Sequence, residues 1–263
     1  MSVLDTILEA KRAHIADKKA HMSMASLEAS ISNVPPKDFA GGLANAIAKS
    51  GYGVICEVKK ASPSKGVIQP DFEPTRHAQG YQAGGAGCIS VLTDTPFFQG
   101  EDADLQAVRE AVDIPLLRKD FMLDPYQVAE ARALGADCIL IILAAVSVSQ
   151  AQDLEAAAEH YGLQILAEIH ALEELDAALE LKTPLIGVNN RNLKTLDVDT
   201  ATTANVAARI PSDRSIVAES GLTGHDDLVS LKAIGIERFL IGEALMREND
   251  QAAALRQFLG TST

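Results

Sequence analysis

The sequence predicts an α/β fold: a single (β/α)8 TIM barrel with an N-terminal helical extension. Three observations predict it. Eight short apolar runs alternate with eight amphipathic stretches whose apolar residues recur at helical spacing. The apolar runs are continuous, not alternating, which is the pattern of parallel strands buried on both faces. The chain also echoes itself: Ala83-Gly84-Gly85-Ala86-Gly87-Cys88 and its following strand resemble Ala133-Leu134-Gly135-Ala136-Asp137-Cys138 and Ala233-Ile234-Gly235-Ile236-Glu237-Arg238. Each is a helix end, a glycine, then a strand, and Gly85, Gly135 and Gly235 are spaced by 50 and then 100 residues.

Taken in order, residues 3–18 predict a helix with Leu4, Ile7, Leu8 and Ile15 on one side. A polar piece containing Pro35-Pro36 leads to a second helix over 38–49. We read residues 1–50 as a helical cap on one domain spanning 1–263, because no composition shift marks a linker. Strands follow at 54–56, 88–92, 115–117, 138–142, 164–167, 185–188, 215–218 and 239–241. Helices are predicted over 74–83, 102–112, 125–134, 149–161, 172–181, 199–208, 225–234 and 252–259, with Pro125 suited to a first helical turn. Eight units over about 210 residues suit a closed barrel. An open doubly wound sheet usually has fewer strands and a glycine-rich first βα turn, and neither is seen.

Composition narrows the function classes. The 263 residues are 47% hydrophobic but only 4% aromatic, so Ala, Leu, Ile and Val must build the core. The formal net charge of −13 argues against nucleic acid or an anionic membrane as partner. Cys56, Cys88 and Cys138 are far apart, sit in or beside apolar runs and form no C-x-x-C, so they read as buried structural thiols in a reducing compartment. The six histidines form no ligand-spaced cluster. With no signal-peptide pattern and no membrane-length apolar run, the expectation is a soluble cytoplasmic protein.

Function in this fold gathers at the C-terminal ends of the strands. The first strand ends Glu57-Val58-Lys59-Lys60-Ala61-Ser62-Pro63-Ser64. Residues two apart share a face, so Glu57 and Lys59 point one way, with Cys56 and Val58 on the other. Later strands end in Leu117-Arg118-Lys119-Asp120-Phe121, Ala167-Glu168-Ile169-His170, Val188-Asn189-Asn190-Arg191, Ala218-Glu219-Ser220-Gly221 and Ile241-Gly242-Glu243-Ala244. Asn189 and Arg191 also share a face. Together these ends predict one mouth lined by acids, ammoniums, a guanidinium and an amide. The glycines of the last two loops, Gly221 and Gly242, would let backbone N–H groups approach a phosphate. Glu243 would be repelled by that anion, so its side chain is expected to turn away.

These motifs, in this order across nearly the whole chain, resemble the indole-3-glycerol phosphate synthase family of tryptophan biosynthesis. The resemblance implies a phosphorylated small-molecule substrate, 1-(2-carboxyphenylamino)-1-deoxyribulose 5-phosphate, closed to an indole with loss of CO₂ and water. It implies no cofactor and no metal. Lys119 is similar to the family's general acid and Glu168 to its base, with Glu57 expected as the partner of Lys119. Lys59 is a candidate acid for dehydration or a substrate anchor. Asn189 and Ser220 would orient sugar hydroxyls or the amine, and Arg191 with Lys59 would hold the carboxylate or the phosphate. Ser62, Gly221, Gly242 and the Glu243 backbone are the phosphate candidates, and the loop over 62–70 is a candidate lid. Lys60, Lys65 and Arg118 read as solvated or structural, His170 as a helix-start residue, and Glu219 as either an inner-ring structural charge or a participant. The chain ends after the eighth unit, which predicts a monofunctional protein, a monomer or weak homo-oligomer. Two rivals remain for the same residues: a Schiff-base aldolase using Lys119, and a non-catalytic phosphate-metabolite binder.

Overall fold

A computed structural model describes residues 2–193 and 195–261. Eight strands close into a barrel: β1 (Gly53–Val58), β2 (Cys88–Leu92), β3 (Leu116–Lys119), β4 (Cys138–Ile142), β5 (Gln164–Ile169), β6 (Leu185–Asn189), β7 (Ser215–Glu219) and β8 (Arg238–Ile241). Every pairing is parallel, and β1 closes the ring by pairing with β8, Gly53 opposite Arg238. Five strands carry polar side chains within their last two positions: Glu57 in β1, Arg118 and Lys119 in β3, Glu168 in β5, Asn189 in β6 and Glu219 in β7. The ladder continues because the neighbour continues, as where Asn189 pairs with Glu219. The charged strand ends are therefore held by the sheet.

Strand parity divides the interior. Ile55, Leu117, Leu166, Leu185, Val217 and Leu240 fill the barrel, whereas Cys56, Val58, Ile89, Ile139, Ala167 and Ile186 pack outward under the helices. Helices Pro74–Gly84, Asp102–Ala111, Pro125–Ala133, Val148–Tyr161, Ala201–Ala207, His225–Lys232 and Gln251–Leu259 form the outer ring. The expected helix over 172–181 is a 3₁₀ turn, Leu172–Glu174, running into Leu175–Leu179.

The first 50 residues touch the barrel in several places. Phe39 and Leu43, on the helix Phe39–Ser50, are completely buried with the residues that start the strands, and Cys88 Sγ meets the Phe39 carbonyl at 3.3 Å. This helix plugs the barrel floor. The helix Val3–His21 buries Leu4, Ile7, Leu8 and Ile15, the face read from sequence, and Leu4, Ile7 and Leu8 join the cluster containing Phe121. Lys11 is buried on that same face, which hydrophobic periodicity alone does not reveal. Between them lies a short helix, Met24–Ala29, whose Leu27 packs against Tyr126 and Ala129.

Three short elements lie outside the strand–helix alternation. The stretch after β1 folds into a hairpin pairing Ala61–Ser62 with Gly66–Val67. After β2, Asp94 caps a single turn, Thr95–Phe98, by accepting from the Phe97 N–H at 3.0 Å. After β8 comes the turn Glu243–Met246. Each decorates the same end of the barrel.

Candidate active site

The C-terminal ends of the strands surround a cavity of about 1020 Å³, lined by Glu57, Lys59, Lys119, Glu168, Asn189, Arg191, Glu219, Ser220, Gly221 and Gly242 among others. With Glu243, which also lines it, ten of the eleven sequence candidates share one space, together with Glu219. Ser62 does not line it. The hairpin places Ser62 beside a smaller cavity of about 90 Å³, under the N-terminal helix, which it shares with Leu4 and Ile7.

At the centre Lys119 Nζ donates to Glu168 Oε2 at 3.1 Å and lies 3.5 Å from Glu219 Oε2. Glu57 pairs with Lys59 instead of Lys119. The expected Glu57–Lys119 pair is corrected for a simple reason: Lys59 is two residues on along the same strand face, whereas the β5 and β7 carboxylates already flank Lys119. Glu57 still acts on Lys119 through space. Burial alone would push the Lys119 ammonium down; Glu168, Glu219 and Glu57 outweigh that and hold it above the ordinary lysine value.

Glu168 and Glu219 are a coupled carboxyl pair. Burial favours the neutral form of both. For Glu168 this is overcome by Lys119 and then His170, and it is held well below the usual carboxylate range. For Glu219 burial is reinforced by the charge of Glu168, so Glu219 is raised well above the usual carboxylate range. Glu219, left open by sequence between a structural and a direct role, sits at the centre of the network.

His170 is placed differently from its sequence reading. Its backbone N–H does donate to Glu174 Oε2 at 2.8 Å, as a helix-start residue would. Its side chain, 6% exposed, lies 3.1 Å from Glu168 Oε1 and 3.6 Å from Glu174 Oε2. Burial would keep the ring neutral, but Glu168 and Glu174 raise it to about 9. The shared parity of Glu168 and His170 was the signal for this pairing.

Two glycines make room for the acids. A Cβ on Gly187 would stand 2.3 Å from Glu219 Oε1, and one on Gly242 would stand 2.2 Å from Glu57 Oε2 and 3.0 Å from Lys59 Nζ. The loop after β7 turns sharply, with Ser220 at φ 64° and Gly221 at φ 78°. A left-handed serine is strained by about 1 kcal/mol or more. Asn190 holds it there, donating to the Ser220 carbonyl at 3.0 Å while accepting from the Thr203 backbone N–H at 3.0 Å and hydroxyl at 2.7 Å. Asn189, of opposite parity, points inward, and its side-chain oxygen accepts from the Arg191 N–H at 3.0 Å. Arg191 Nη1 reaches the Leu196 carbonyl at 3.0 Å and Ser64 Oγ at 3.5 Å, linking the loops after β6 and β1. Glu243 pairs with Arg247, 2.8 Å away, and both border the cavity.

One wall of the cavity is apolar: Phe98, Phe121, Leu140, Ile142 and Leu193. Sequence reasoning assigned none of them, although Phe121 stood inside a quoted motif. A lone apolar residue after a strand is indistinguishable from core until the cavity is seen. Arg118 is not solvated: it is 2% exposed and bound to Glu130 at 2.7 Å and Asp102 at 3.0 Å, outside the barrel. Among the described residues no cluster of His, Cys, Asp and Glu has the arrangement of a metal site.

The family model for indole-3-glycerol phosphate synthase matches residues 4–258. The chain belongs to the indole-3-glycerol phosphate synthase family. It is 54% identical over 261 residues to the indole-3-glycerol phosphate synthase of Azospirillum brasilense, covering 98% of both chains. It is 49% identical over 260 residues to that of Zymomonas mobilis subsp. pomaceae, again covering 98% of each. Among solved structures, N-acetylmannosamine-6-phosphate 2-epimerase from Clostridium perfringens aligns at TM-score 0.60 and 15% identity, over 81% of this chain and 93% of the other. Thiamine phosphate pyrophosphorylase from Pyrococcus furiosus aligns at TM-score 0.56 and 18% identity, over 80% and 95%. At that identity the two structures speak for the barrel alone. As a member of the synthase family the protein is a carboxy-lyase of tryptophan biosynthesis, and the aldolase and passive-binder readings fall away. No described helix is long and apolar enough to cross a membrane.

Proposed function

We propose that this synthase closes the indole ring of 1-(2-carboxyphenylamino)-1-deoxyribulose 5-phosphate with Lys119 as general acid and Glu168 as general base. The observation that carries the reading is the Lys119–Glu168 contact at 3.1 Å in the floor of a cavity that is anion-friendly on one side and apolar on the other.

The chemistry follows from the charges. An aromatic carbon attacks the ketone, and the ketone oxygen becomes an alkoxide that must gain a proton. A buried ammonium kept charged by carboxylates is ready to give it, because an alkoxide is the stronger base. Attack leaves the ring of that carbon non-aromatic and cationic, and loss of CO₂ returns the electron pair of the broken C–C bond to the ring, restoring its aromaticity. Dehydration needs a base for the remaining ring proton and an acid for the departing hydroxyl. Glu168, kept ionised, is the base; Lys59, beside Glu57, is the acid of that step or the anchor of the phosphate. Glu219, whose burial beside Glu168 favours its neutral form, lessens the negative charge around Lys119 when an anionic substrate approaches.

Placement divides the binding roles. The aromatic ring of the substrate belongs against Phe98, Phe121 and Leu140. Arg191 and Lys59 take its carboxylate or phosphate, and Asn189 and Ser220 its hydroxyls or amine. The backbones at Gly221, Gly242 and Glu243 are the phosphate contacts; Ser62 keeps that role only if the hairpin moves, since it lies outside the main cavity. We also take residues 1–50 as part of a single domain with the barrel, working in the cytoplasm as a monomer or weak homo-oligomer. The three buried free thiols support a reducing compartment.

The test is direct. Purified protein in chelator is offered the anthranilate-derived ribulose phosphate, and indole fluorescence is followed. Growth of the indole signal with release of CO₂ is expected; no product across buffers would refute the reading.

A further inference from the structure

We propose that His170 is a positioning residue that holds the Glu168 carboxylate ionised and aimed at the cavity, from the side opposite Lys119. This rests on Glu168 being the base.

The geometry supplies the argument. Glu168 Oε2 faces Lys119, and its other oxygen, Oε1, faces His170 Nε2 at 3.1 Å. The carboxylate is therefore held from two sides. When Lys119 hands its proton to substrate it becomes a neutral amine, and the first of those two cations is lost at the moment a base is needed next. His170 is the cation that remains. It lies at the end of β5, away from the reacting atoms, and its side chain is only 6% exposed. Its own charge is secured from behind by Glu174, 3.6 Å from Nδ1, whose carboxylate is fixed by the His170 backbone N–H at 2.8 Å. Both carboxylates lie within ion-pair distance of the ring nitrogens, and each favours the charged imidazolium.

The charged groups around it are few. Glu168 on β5 and Glu174 in the following turn face the imidazole. Lys119 on β3 and Glu219 on β7 face Glu168 from the other side, and Glu57 on β1 acts on Lys119. The turn after β4, Leu143–Ala145, carries no charge. Removing His170 thus leaves two carboxyls with only Lys119 between them. A buried carboxylate that loses an adjacent cation is expected to rise by about one to three pKa units.

The experiment uses the intact enzyme and two readouts. Nitrogen NMR of the native protein at about pH 7.5, where a free histidine is mostly neutral, reports the ring's protonation. Both ring nitrogens of His170 should carry protons. The pH profile of kcat is then compared for wild type, His170→Gln and His170→Arg. We expect the acidic limb of His170→Gln to move up by about one to two pH units, with kcat near neutrality down about tenfold and KM little changed. His170→Arg, which restores a cation, should bring the limb back toward wild type. A neutral His170 ring, or a His170→Gln limb that superimposes on wild type, overturns the proposal, as does a fall in Tm and kcat with no limb shift. Glu168→Gln separates the two levels of argument. If it turns over normally, the base assignment fails; if it is inactive while His170→Gln matches wild type, only the role of His170 fails.

Discussion

Arg118, Lys119 and Asp120 are consecutive, all buried or nearly so, and all in ion pairs, yet they belong to two regions with different work. Lys119 points into the barrel mouth, where the charges border a large cavity. Arg118 and Asp120 place their charges in a network closed by helices, although Asp120 also borders the cavity. There Lys11 of the N-terminal helix bridges Asp94 and Asp120 at 2.7 Å each, and Arg118 reaches Asp102 and Glu130, which Lys18 also contacts. Thr93 completes it, donating to Asp120 at 2.8 Å and accepting from Arg118 at 3.1 Å. The outer network ties the ends of β2 and β3 to three helices, Val3–His21, Asp102–Ala111 and Pro125–Ala133. The inner one sets two coupled carboxyls around one ammonium beside open volume. Buried charge by itself does not mark a catalytic site; buried charge against open volume does.

The contrast predicts separable damage. The largest effect is expected inside: Glu168→Gln should cut kcat by about two to four orders of magnitude while leaving the urea midpoint close to wild type, as steady-state kinetics and denaturation would show. Outside, the order reverses. Arg118→Ala leaves Asp102, Asp120 and Glu130 without their shared cation and should cost about 3–5 kcal/mol of stability by urea denaturation. Protein that still folds should turn over within about tenfold of wild type.

Smaller effects sharpen the boundary. Glu219 has a raised value in the fold, so its contribution to stability is present below the unfolded value of about 4.3 and is lost as pH rises through the folded one. Glu219→Gln, a permanently neutral isostere, should therefore be increasingly more stable than wild type as pH rises through that window. Asp120 has the opposite sign: despite its burial, Lys11 and Arg118 lower it, so its stabilisation is present above about 3.9 and lost as pH falls further. Asp120→Asn should weaken the protein at neutral pH and flatten its acid denaturation, measured by Tm against pH. The smallest change is steric. Gly187→Ala and Gly242→Ala each press a methyl on an acid and should cost about 1–3 kcal/mol, with the kcat loss of Gly242→Ala falling on the Glu57–Lys59 pair.

Sequence carried the barrel because its signals are local and repeated: eight apolar runs, a recurring helix-end glycine, and parity at each strand end. The same parity sorted Lys119 from Arg118 and Asn189 from Asn190. What it missed depends on distances between strands. Glu57 was matched to Lys119 because both are strand-end charges, but only the closed ring shows that Lys59 takes Glu57 and that β5 and β7 supply the partners of Lys119. Lys11 was invisible for a related reason, since its two aspartates are about eighty and a hundred residues away in sequence. The apolar wall from Phe98 to Leu193 carries no chemical signature, and only volume identifies it.

The account stands most directly on one measurement: kcat and substrate affinity of Lys119→Ala, taken with its unfolding curve. A loss of about two to four orders of magnitude in kcat, with binding within about tenfold and a cooperative, near-native unfolding transition, is the predicted result. Near-normal turnover by folded Lys119→Ala would contradict it.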